Sequence, residues 1–288
     1  MLDYSNLEGY IFVDGQLVKW SEAKLHVLSH GLHYASSVFE GERVYGSKVF
    51  KEEDHTNRLI KSANTLGFNI PYNSNEISSI RKEVLKANKI EDGYIRPVAW
   101  RGSEMMGISA QQNTIHFALA AWKWPSYFSP EARLKGIKIN VSKWRRPDPK
   151  TAPVNTKAAG LYMICTLSKH EAEAAGYDDS LMLDYRGYVA EATGANIFFV
   201  KDNEIHTPIA DCFLDGITRQ TVIKLAKQEG IKVVEKRLNL IDIKDYIECF
   251  VTGTAAEITP VRSIGENNYT PGKLCRFFIN KYTELTLS

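Results

Sequence analysis

One lysine stands among small residues in Pro153-Val154-Asn155-Thr156-Lys157-Ala158-Ala159-Gly160-Leu161-Tyr162, and this stretch carries most of the information about the fold. A flat group bonded to the Lys157 amine could lie close to the backbone, with Tyr162 five positions later as a partner for a ring hydroxyl. An amine in poor solvent loses its proton more easily, as bonding to a carbonyl carbon requires. The alternative is a solvated surface lysine, since the chain has 36 Lys and Arg.

A single carboxylate lies in the apolar stretch Tyr188-Val189-Ala190-Glu191-Ala192-Thr193-Gly194-Ala195-Asn196-Ile197-Phe198-Phe199. Beside the nitrogen of an aromatic heterocycle, Glu191 would keep that nitrogen protonated, and the ring would then draw electrons from a bonded substrate. The alternative is that Glu191 ends a strand and faces water or caps a turn.

Two glycine turns are suited to holding a phosphate. Leu214-Asp215-Gly216-Ile217-Thr218-Arg219-Gln220 opens a helical pattern that Gly230 closes, so a free helix N-terminus with Thr218 would favour an anion. Thr252-Gly253-Thr254-Ala255-Ala256-Glu257 is a second turn of this kind, with Thr254 as the side-chain donor. Either turn could instead be a capped helix start.

Length and composition are those of a globular protein. The chain has 288 residues, of which 44% are hydrophobic, which is enough for two domains with cores. The net charge of +2, without a long basic run, argues against nucleic acid as a partner. The four cysteines are widely spaced, which argues against a disulfide framework or a thiolate zinc site. With no signal-peptide pattern and no apolar run of membrane-spanning length, we expect a cytoplasmic protein without a membrane partner.

Strand-like and helical patterns alternate along the chain and predict an α/β protein with two domains. The strand-like stretches include 9–13, 116–121 and 136–141, and the helical ones include 54–66, 75–88 and 161–175. We expect a small N-terminal α/β domain at 1–121, a linker with two prolines at 122–133, and a larger C-terminal α/β domain with Lys157 at 134–288. A small-molecule site between the two domains would be in a usual place.

These motifs, taken together, resemble a known enzyme family. His30-Gly31-Leu32-His33-Tyr34, Ser37-Val38-Phe39-Glu40-Gly41 and Tyr94-Ile95-Arg96-Pro97 resemble its N-terminal motifs, and Gly253-Thr254-Ala255-Ala256-Glu257-Ile258-Thr259-Pro260-Val261-Arg262 resembles its long C-terminal signature. The chain is similar over almost its whole length to the class IV aminotransferases of pyridoxal-phosphate fold type IV, the D-amino-acid aminotransferase fold. Within them it most resembles the branched-chain amino acid aminotransferases.

The resemblance implies pyridoxal 5'-phosphate as cofactor, with Lys157 as the catalytic residue that forms the internal aldimine and moves the substrate proton. It implies contacts to the phosphate, the ring nitrogen, the ring hydroxyl and the ring face from Arg58, Tyr162, Glu191, Leu214, Ile217, Thr218 and Thr254. It implies a substrate pocket formed by Phe39, Tyr94, Arg96, Trp124, Tyr127, Thr254 and Ala255, with Tyr34 reaching across from a neighbouring subunit. Arg96 would bind the distal carboxylate of glutamate or 2-oxoglutarate.

The implied activity is a ping-pong transfer of the amino group from leucine, isoleucine or valine to 2-oxoglutarate, giving branched 2-oxo acids and L-glutamate. A homodimer is the minimum assembly that the resemblance implies. Three alternatives stay open: a D-amino-acid or (R)-amine transaminase, an aminodeoxychorismate-lyase-like enzyme, and a noncatalytic protein that keeps the scaffold. Release of pyruvate without an amino acceptor would identify the lyase.

Two features need separate interpretation. The loop Trp100-Arg101-Gly102-Ser103-Glu104-Met105-Met106-Gly107-Ile108 has charges and methionines where a Gly-rich turn is expected, so it could widen the range of accepted side chains. Helical spacing could place His26, His30 and His33 on one face like metal ligands, but no nearby Asp or Cys completes a set, and we expect no metal site.

Overall fold

A computed structural model describes residues 3–124 and 135–287. The chain divides into two compact units. The first comprises Met1–Pro125 and Thr156–Gly160, and the second comprises Ser126–Asn155 and Leu161–Ser288. The segment with Lys157 is therefore part of the first unit, whereas the sequence led us to expect it in a C-terminal domain.

A sheet of antiparallel strands forms the base of the first unit. Its described strands are β1 Tyr10–Val13, β2 Gln16–Lys19, β3 Ser37–Phe39, β4 Glu42–Tyr45, β5 Lys48–Val49, β6 Gly93–Arg101 and β7 Ile115–Lys123. They are ordered β2-β1-β7-β6-β4-β5, and β3 pairs with β6. The long strand β6 therefore carries Tyr94 and Arg96 through the middle of this sheet.

Helices cover the sheet of the first unit. They are α1 His30–Tyr34, α2 Glu52–Thr65 and α3 Ser74–Ala87, with 3-10 turns at Tyr4–Asn6 and Trp20–Glu22. Helix α3 begins at a capping box, in which Asn73 and Glu76 each bond the other's backbone N–H. Apolar side chains of α2 and α3 share a core with the sheet, and each fully buried Leu or Ile contributes about 1.5–3 kcal/mol. This core fixes α2, which carries Arg58.

The second unit is built on a mixed sheet. Its described strands are β8 Ile137–Arg146, β9 Asp179–Asp184, β10 Val189–Ala192, β11 Asn196–Lys201, β12 Glu204–Pro208, β13 Val233–Lys236, β14 Glu248–Gly253, β15 Glu257–Ile264 and β16 Asn267–Asn268. They are ordered β10-β9-β8-β15-β14-β11-β12-β13, with β16 on β15. The pairs β8–β9, β8–β15 and β12–β13 are parallel. This order places β11 beside β14, so Asn196 lies opposite Thr252.

The helices of the second unit are α4 Met163–Ala174, α5 Ile217–Gln228 and α6 Lys273–Leu287, and a 3-10 turn spans Leu240–Asp245. A further 3-10 turn, Ala159–Tyr162, follows the lysine segment. The core of this unit is aliphatic and aromatic, and includes Ile137, Leu181, Ile197, Phe199 and Val251.

The predicted α/β class is confirmed, and the three predicted helices are found with ends within two residues of those expected. Strand β7 continues to Lys123, so Trp122 and Lys123 of the predicted linker are strand residues. Residues 125–133 of that linker lie outside the described residues. Among the described helices, none combines the length and the apolar character that crossing a membrane requires.

Candidate active site

Lys157 lies partly buried in the first unit against an aromatic ring, with its Nζ 4.6 Å from the centre of Phe39. Withdrawal of the amine from water is the main reason that the pKa of Lys157 falls to about 8. The cations Arg58 and Arg96 lower this pKa further, and Glu40 opposes them. About a tenth of the amine is therefore neutral at pH 7 and about half at pH 8, and the neutral form can act as a nucleophile or a base.

The main chain of Lys157 is held on both sides. Its N–H donates to the hydroxyl oxygen of Ser62 at 3.0 Å. Its C=O accepts from the N–H of Phe39 at 3.2 Å, and Ala158 bridges to Val38. The lysine segment thus extends the edge of the first unit's sheet, and Ser62 is a contact that the sequence did not predict.

Arg58 projects from α2 into a buried ion-pair cluster. Its Nε and Nη2 donate to the two oxygens of Glu40 at 2.6 and 2.8 Å. His55 Nδ1 lies 2.7 Å from the same carboxylate, whose side chain is fully buried. Burial alone would raise the pKa of Glu40, but Arg58 and His55 hold this pKa well below its usual range. The carboxylate is therefore ionised, and it fixes the orientation of the Arg58 guanidinium.

Glu40 lies in a motif that the sequence singled out but received no role there, and His55 received none either. Glu40 follows the apolar Val38 and Phe39, but the charged Glu42 and Arg43 come two and three positions later, so the signal for Glu40 was weak. No comparable signal distinguished His55 from other helical histidines.

Aromatic rings surround Arg96 on β6. The guanidinium carbon lies 4.8 Å from the centre of Phe39 and 5.5 Å from that of Tyr94, with Nη2 3.5 Å from the Tyr94 hydroxyl. The ring of Tyr94 is 5.0 Å from that of Trp124. Gly41 makes room for Tyr94, since a Cβ at this position would collide with the phenol. The first unit therefore groups Phe39, Tyr94 and Arg96 near Lys157, with Trp124 against Tyr94, while Tyr127 lies outside the described residues.

Tyr34 is exposed at the end of α1 and contacts a loop of its own unit. Its hydroxyl donates to the carbonyl of Met106 at 3.0 Å, and its ring stacks on His30 with centroids 4.4 Å apart. Met106 belongs to the loop between β6 and β7. Tyr34 is thus not among the residues that the first unit groups around Lys157.

The unusual charges of the 100–108 loop serve its structure. Arg101 donates to the carbonyls of Ala110 at 2.9 Å and Gly67 at 2.8 Å, and its guanidinium lies over Phe68. Asn113 donates to the carbonyl of Gly102 at 2.8 Å. These bonds fix the loop backbone, so the breadth of specificity that its composition led us to expect remains a prediction.

The three histidines near α1 each bond a neighbouring group. His30 lies 2.6 Å from the Ser36 hydroxyl, His33 lies 2.8 Å from the Val27 carbonyl, and His26 accepts from a backbone N–H. Helix α1 begins at His30, so His26 is outside it and the three do not share one helical face.

Glu191 lies in strand β10 of the second unit and is 8% exposed. It accepts a hydrogen bond from Asn196 Nδ2 at 3.1 Å, and its other oxygen lies 3.3 Å from Nε of Arg146. Burial would lower the pKa of Arg146, but Glu191 raises it above its usual value. The interpretation of Glu191 as a solvated strand end is therefore wrong. Tyr162 immediately precedes α4, and its phenol also raises the pKa of Arg146.

Asn196 connects Glu191 to the turn before α5. Its amide donates to the carbonyl of Leu214 at 3.0 Å and accepts from the N–H of Gly216 at 3.1 Å. A Cβ at Gly216 would collide with the Asn196 amide. Asn196 is a second contact that the sequence did not predict, and it fixes where α5 begins.

Helix α5 begins at Ile217 with no side-chain cap from the described part of the chain and no acidic residue in its first turn. Thr218, in this turn, is 3% exposed. An uncapped N-terminus presents backbone N–H groups and the positive end of the helix dipole, which favour an anion such as a phosphate.

Thr254 and Ala255 lie in the turn that joins β14 to β15. The interpretation of this turn as a capped helix start is wrong, because strands flank it on both sides. Close packing is visible at Gly253, where a Cβ would lie 3.2 Å from the Gly194 carbonyl. The Thr252 hydroxyl is buried and has no hydrogen-bond partner among the described residues.

A known protein family and individual known proteins both match most of this chain. Residues 37–264 match the family described as amino-transferase class IV. A probable branched-chain-amino-acid aminotransferase of Rickettsia bellii (strain RML369-C) is 50% identical over 259 residues, which cover 90% of this chain and 88% of that protein.

Solved structures are similar over nearly the whole chain. The branched-chain aminotransferase of the thermophilic archaeon Thermoproteus uzoniensis, with norvaline, has a TM-score of 0.92 and 35% identity, covering 97% of this chain and 95% of that one. An aminotransferase from Brucella abortus bound to the cofactor PLP has a TM-score of 0.87 and 28% identity, covering 98% of this chain and 100% of that one.

Proposed function

The chain belongs to the class IV aminotransferase family, and from this premise we propose that it is a branched-chain amino acid aminotransferase that uses pyridoxal 5'-phosphate. It transfers the amino group of L-leucine, L-isoleucine or L-valine to 2-oxoglutarate and releases a branched 2-oxo acid and L-glutamate. The observation that carries the proposal is the partly buried Lys157 amine, with a pKa of about 8, beside Arg58 and Arg96.

The residues of each unit fit the cofactor chemically. The first unit offers the Lys157 amine for the aldehyde and the Arg58 cation for the phosphate. The second offers Glu191 for the ring nitrogen, Tyr162 for the ring oxygen, and the N–H groups of Ile217 and Thr218 for the phosphate. Leu214 would contact the ring face, and Thr254 would add a hydroxyl to the phosphate. The Thr252 hydroxyl, which has no hydrogen-bond partner among the described residues, is a further polar atom close to this turn.

When bound, the cofactor supplies an electron-accepting ring that stabilises negative charge at the substrate's alpha carbon. Glu191 would accept the hydrogen bond of the protonated ring nitrogen, and its contacts with Arg146 and Asn196 hold the carboxylate in place. Lys157 moves the proton, because Nζ with a pKa of about 8 can take a proton from carbon and return it near neutral pH.

Substrate binding needs a pocket that accepts an apolar side chain and then the carboxylate of glutamate. Arg96 offers a planar two-pronged contact for that distal carboxylate, and the rings of Phe39 and Tyr94 shield it. Trp124 and Tyr127 would complete the aromatic wall for a leucine side chain. The alpha carboxylate would meet Tyr94 and the backbone of the turn at Thr254 and Ala255.

The first unit also supports a homodimer or a larger homo-oligomer. Large apolar side chains are exposed near Tyr34, namely Leu25, Val27, Leu28, Leu32 and Ile108. Exposed apolar surface of this kind is typical of subunit interfaces. Tyr34 would thereby reach the substrate pocket of a neighbouring subunit. Sedimentation velocity should give at least a dimer, and a monomer would contradict this assembly.

We propose the cytoplasm as the compartment. The four cysteines are all free and buried, which is consistent with a reducing environment. Separating the cell fractions and probing each for the enzyme would test this location.

The decisive experiment follows the visible absorption of the purified protein with pyridoxal 5'-phosphate while L-leucine is added without an acceptor. Loss of the band of the lysine-bound cofactor, with release of 4-methyl-2-oxopentanoate, is the expected result. D-leucine is the matched control and should leave the band in place. A band that L-leucine leaves unchanged would refute the branched-chain activity while keeping the cofactor.

A further inference from the structure

Ser62 is a buried serine on α2 whose hydroxyl accepts the main-chain N–H of Lys157 at 3.0 Å. Its side chain is withdrawn from solvent, at 1% relative exposure. The opposite side of Lys157 is held by the N–H of Phe39. The hydroxyl is thus one of two anchors of the lysine backbone, and it comes from a helix that is 95 positions away in sequence.

Helix α2 carries a second residue that matters to the proposed site. Arg58 precedes Ser62 by four positions, so the two side chains lie on one face of the helix, one turn apart. Glu40 fixes the Arg58 guanidinium through two hydrogen bonds. One turn of α2 therefore sets the position of the Lys157 backbone relative to the phosphate-binding cation.

We propose that Ser62 is a positioning residue that holds Lys157 at the distance from Arg58 that a cofactor bound at both ends requires. This inference rests on the proposed function. Arg58 would hold the phosphate at one end, and at the other end the Lys157 amine would condense with the aldehyde. In that step the Nζ lone pair forms a C=N bond, and the aldehyde oxygen leaves as water with the two amine protons. The anchored backbone reduces the motion that must be lost when this bond forms.

A comparison of two ligands separates this role from a general contribution to folding. Pyridoxal 5'-phosphate bonds Lys157, whereas pyridoxamine 5'-phosphate has the same ring and phosphate but no aldehyde. Loss of the lysine anchor should weaken the first ligand and leave the second nearly unchanged. General damage to the unit would weaken both ligands alike. The readout is therefore the ratio of the two dissociation constants, measured on cofactor-free full-length protein.

For Ser62→Ala we expect pyridoxal 5'-phosphate to bind about 3- to 10-fold more weakly relative to pyridoxamine 5'-phosphate. This change in the ratio of dissociation constants corresponds to the loss of one neutral hydrogen bond. Ser62→Thr keeps the hydroxyl and should restore the wild-type ratio. Ser62→Cys has nearly the same shape with a weaker acceptor and should lie between them, which also tests the role if the alanine variant folds poorly. Ser79→Ala is the matched control, because Ser79 is a serine on the exposed surface of α3 whose hydroxyl donates to the carbonyl of Asn75 in the same helix.

An unchanged ratio in both Ser62→Ala and Ser62→Cys would overturn the inference, whether both ligands are weakened equally or neither is affected. Wild-type protein that binds pyridoxamine 5'-phosphate but forms no covalent band with pyridoxal 5'-phosphate would overturn the proposed role of Lys157 and this inference with it. A shifted ratio, together with a wild-type protein that does not transaminate L-leucine, would uphold the Ser62 role and reject only the proposed activity.

Discussion

The rate at which cofactor-free protein captures pyridoxal 5'-phosphate should follow the ionisation of Lys157. With a pKa of about 8, about 9% of the amine is neutral at pH 7 and about 91% at pH 9, so the rate should rise about tenfold between them. An ordinary lysine with a pKa of about 10.4 would give about a hundredfold rise, because most of its amine is still charged at pH 9. The two cases therefore differ by about a factor of ten.

The assay is stopped-flow absorbance of the covalent band between about pH 6.5 and pH 10, limits that bracket the expected pKa. Capture by N-acetyl-lysine methylamide, with its rate divided by the fraction of that amine that is neutral at each pH, gives the correction for ionisation of the ligand itself. The corrected rate should level off above about pH 9. A rise that approaches a hundredfold and continues without a plateau would refute the assignment of a lowered pKa to Lys157.

Glu40→Gln extends this test, because the negative charge of Glu40 raises the pKa of Lys157 while Arg58 and Arg96 lower it. Removal of that charge should move the midpoint of the capture rate to lower pH. The substitution also breaks a buried ion pair, which costs about 3–5 kcal/mol, so circular dichroism must first establish that the variant is folded. Glu83→Gln on the exposed face of α3 is the control and should keep the wild-type midpoint. A Glu40→Gln midpoint at equal or higher pH would contradict the electrostatic argument.

Three further substitutions test individual residues. Lys157→Ala should abolish transamination while the protein still binds pyridoxamine 5'-phosphate, and retained turnover would refute its role. Glu191→Gln should lower kcat about 100-fold or more with cofactor still bound, as measured by steady-state kinetics and absorbance, and unaltered kinetics would contradict it. Arg96→Lys should raise KM for 2-oxoglutarate about tenfold and leave KM for L-leucine nearly unchanged, since lysine cannot make the two-pronged contact.

Local patterns were sufficient to predict much of the fold. Apolar spacing located α2 and α3, and the glycine before Ile217 marked the start of α5. Such signals depend on neighbouring residues only. The turn at Thr254 was ambiguous for the same reason, because Gly-x-Thr can begin a helix or join two strands. Pairing of β14 with β11 and β15 decides between them, and pairing is a long-range property.

The residues of the site also fall into two groups, those that the local sequence predicts and those that depend on tertiary contacts. Lys157 and Glu191 stood out because each is a charged residue in a small and apolar stretch. Ser62 and Asn196 did not, because a polar residue on a helix or strand is ordinary until its partner is known. Each acts on a segment that the tertiary fold brings to it, Ser62 on the Lys157 backbone and Asn196 on the turn before α5.

The first unit contains a second ion pair, Glu42–Arg81, with which the Glu40–Arg58 pair can be compared. Two residues along the chain, Glu42 accepts from Nε and Nη2 of Arg81 at 2.7 and 2.8 Å, nearly the same geometry. The two pairs differ in exposure, since the side chain of Arg58 is 14% exposed and that of Arg81 only 1%. A buried ion pair is often no more stabilising than an apolar pair of the same volume, so stability alone does not explain either.

The difference in exposure implies different roles for Arg58 and Arg81. Arg58 can present an edge to a ligand, whereas Arg81 is enclosed between strand and helices and serves the packing of the unit. Glu42→Gln should therefore lower the melting temperature about as much as Glu40→Gln, since each breaks a two-pronged buried pair. It should leave the affinity for pyridoxamine 5'-phosphate close to wild type, whereas Glu40→Gln weakens it by freeing Arg58 to move. Equal losses of affinity in the two variants, measured by titration of folded protein, would mean that Glu40 acts only through stability.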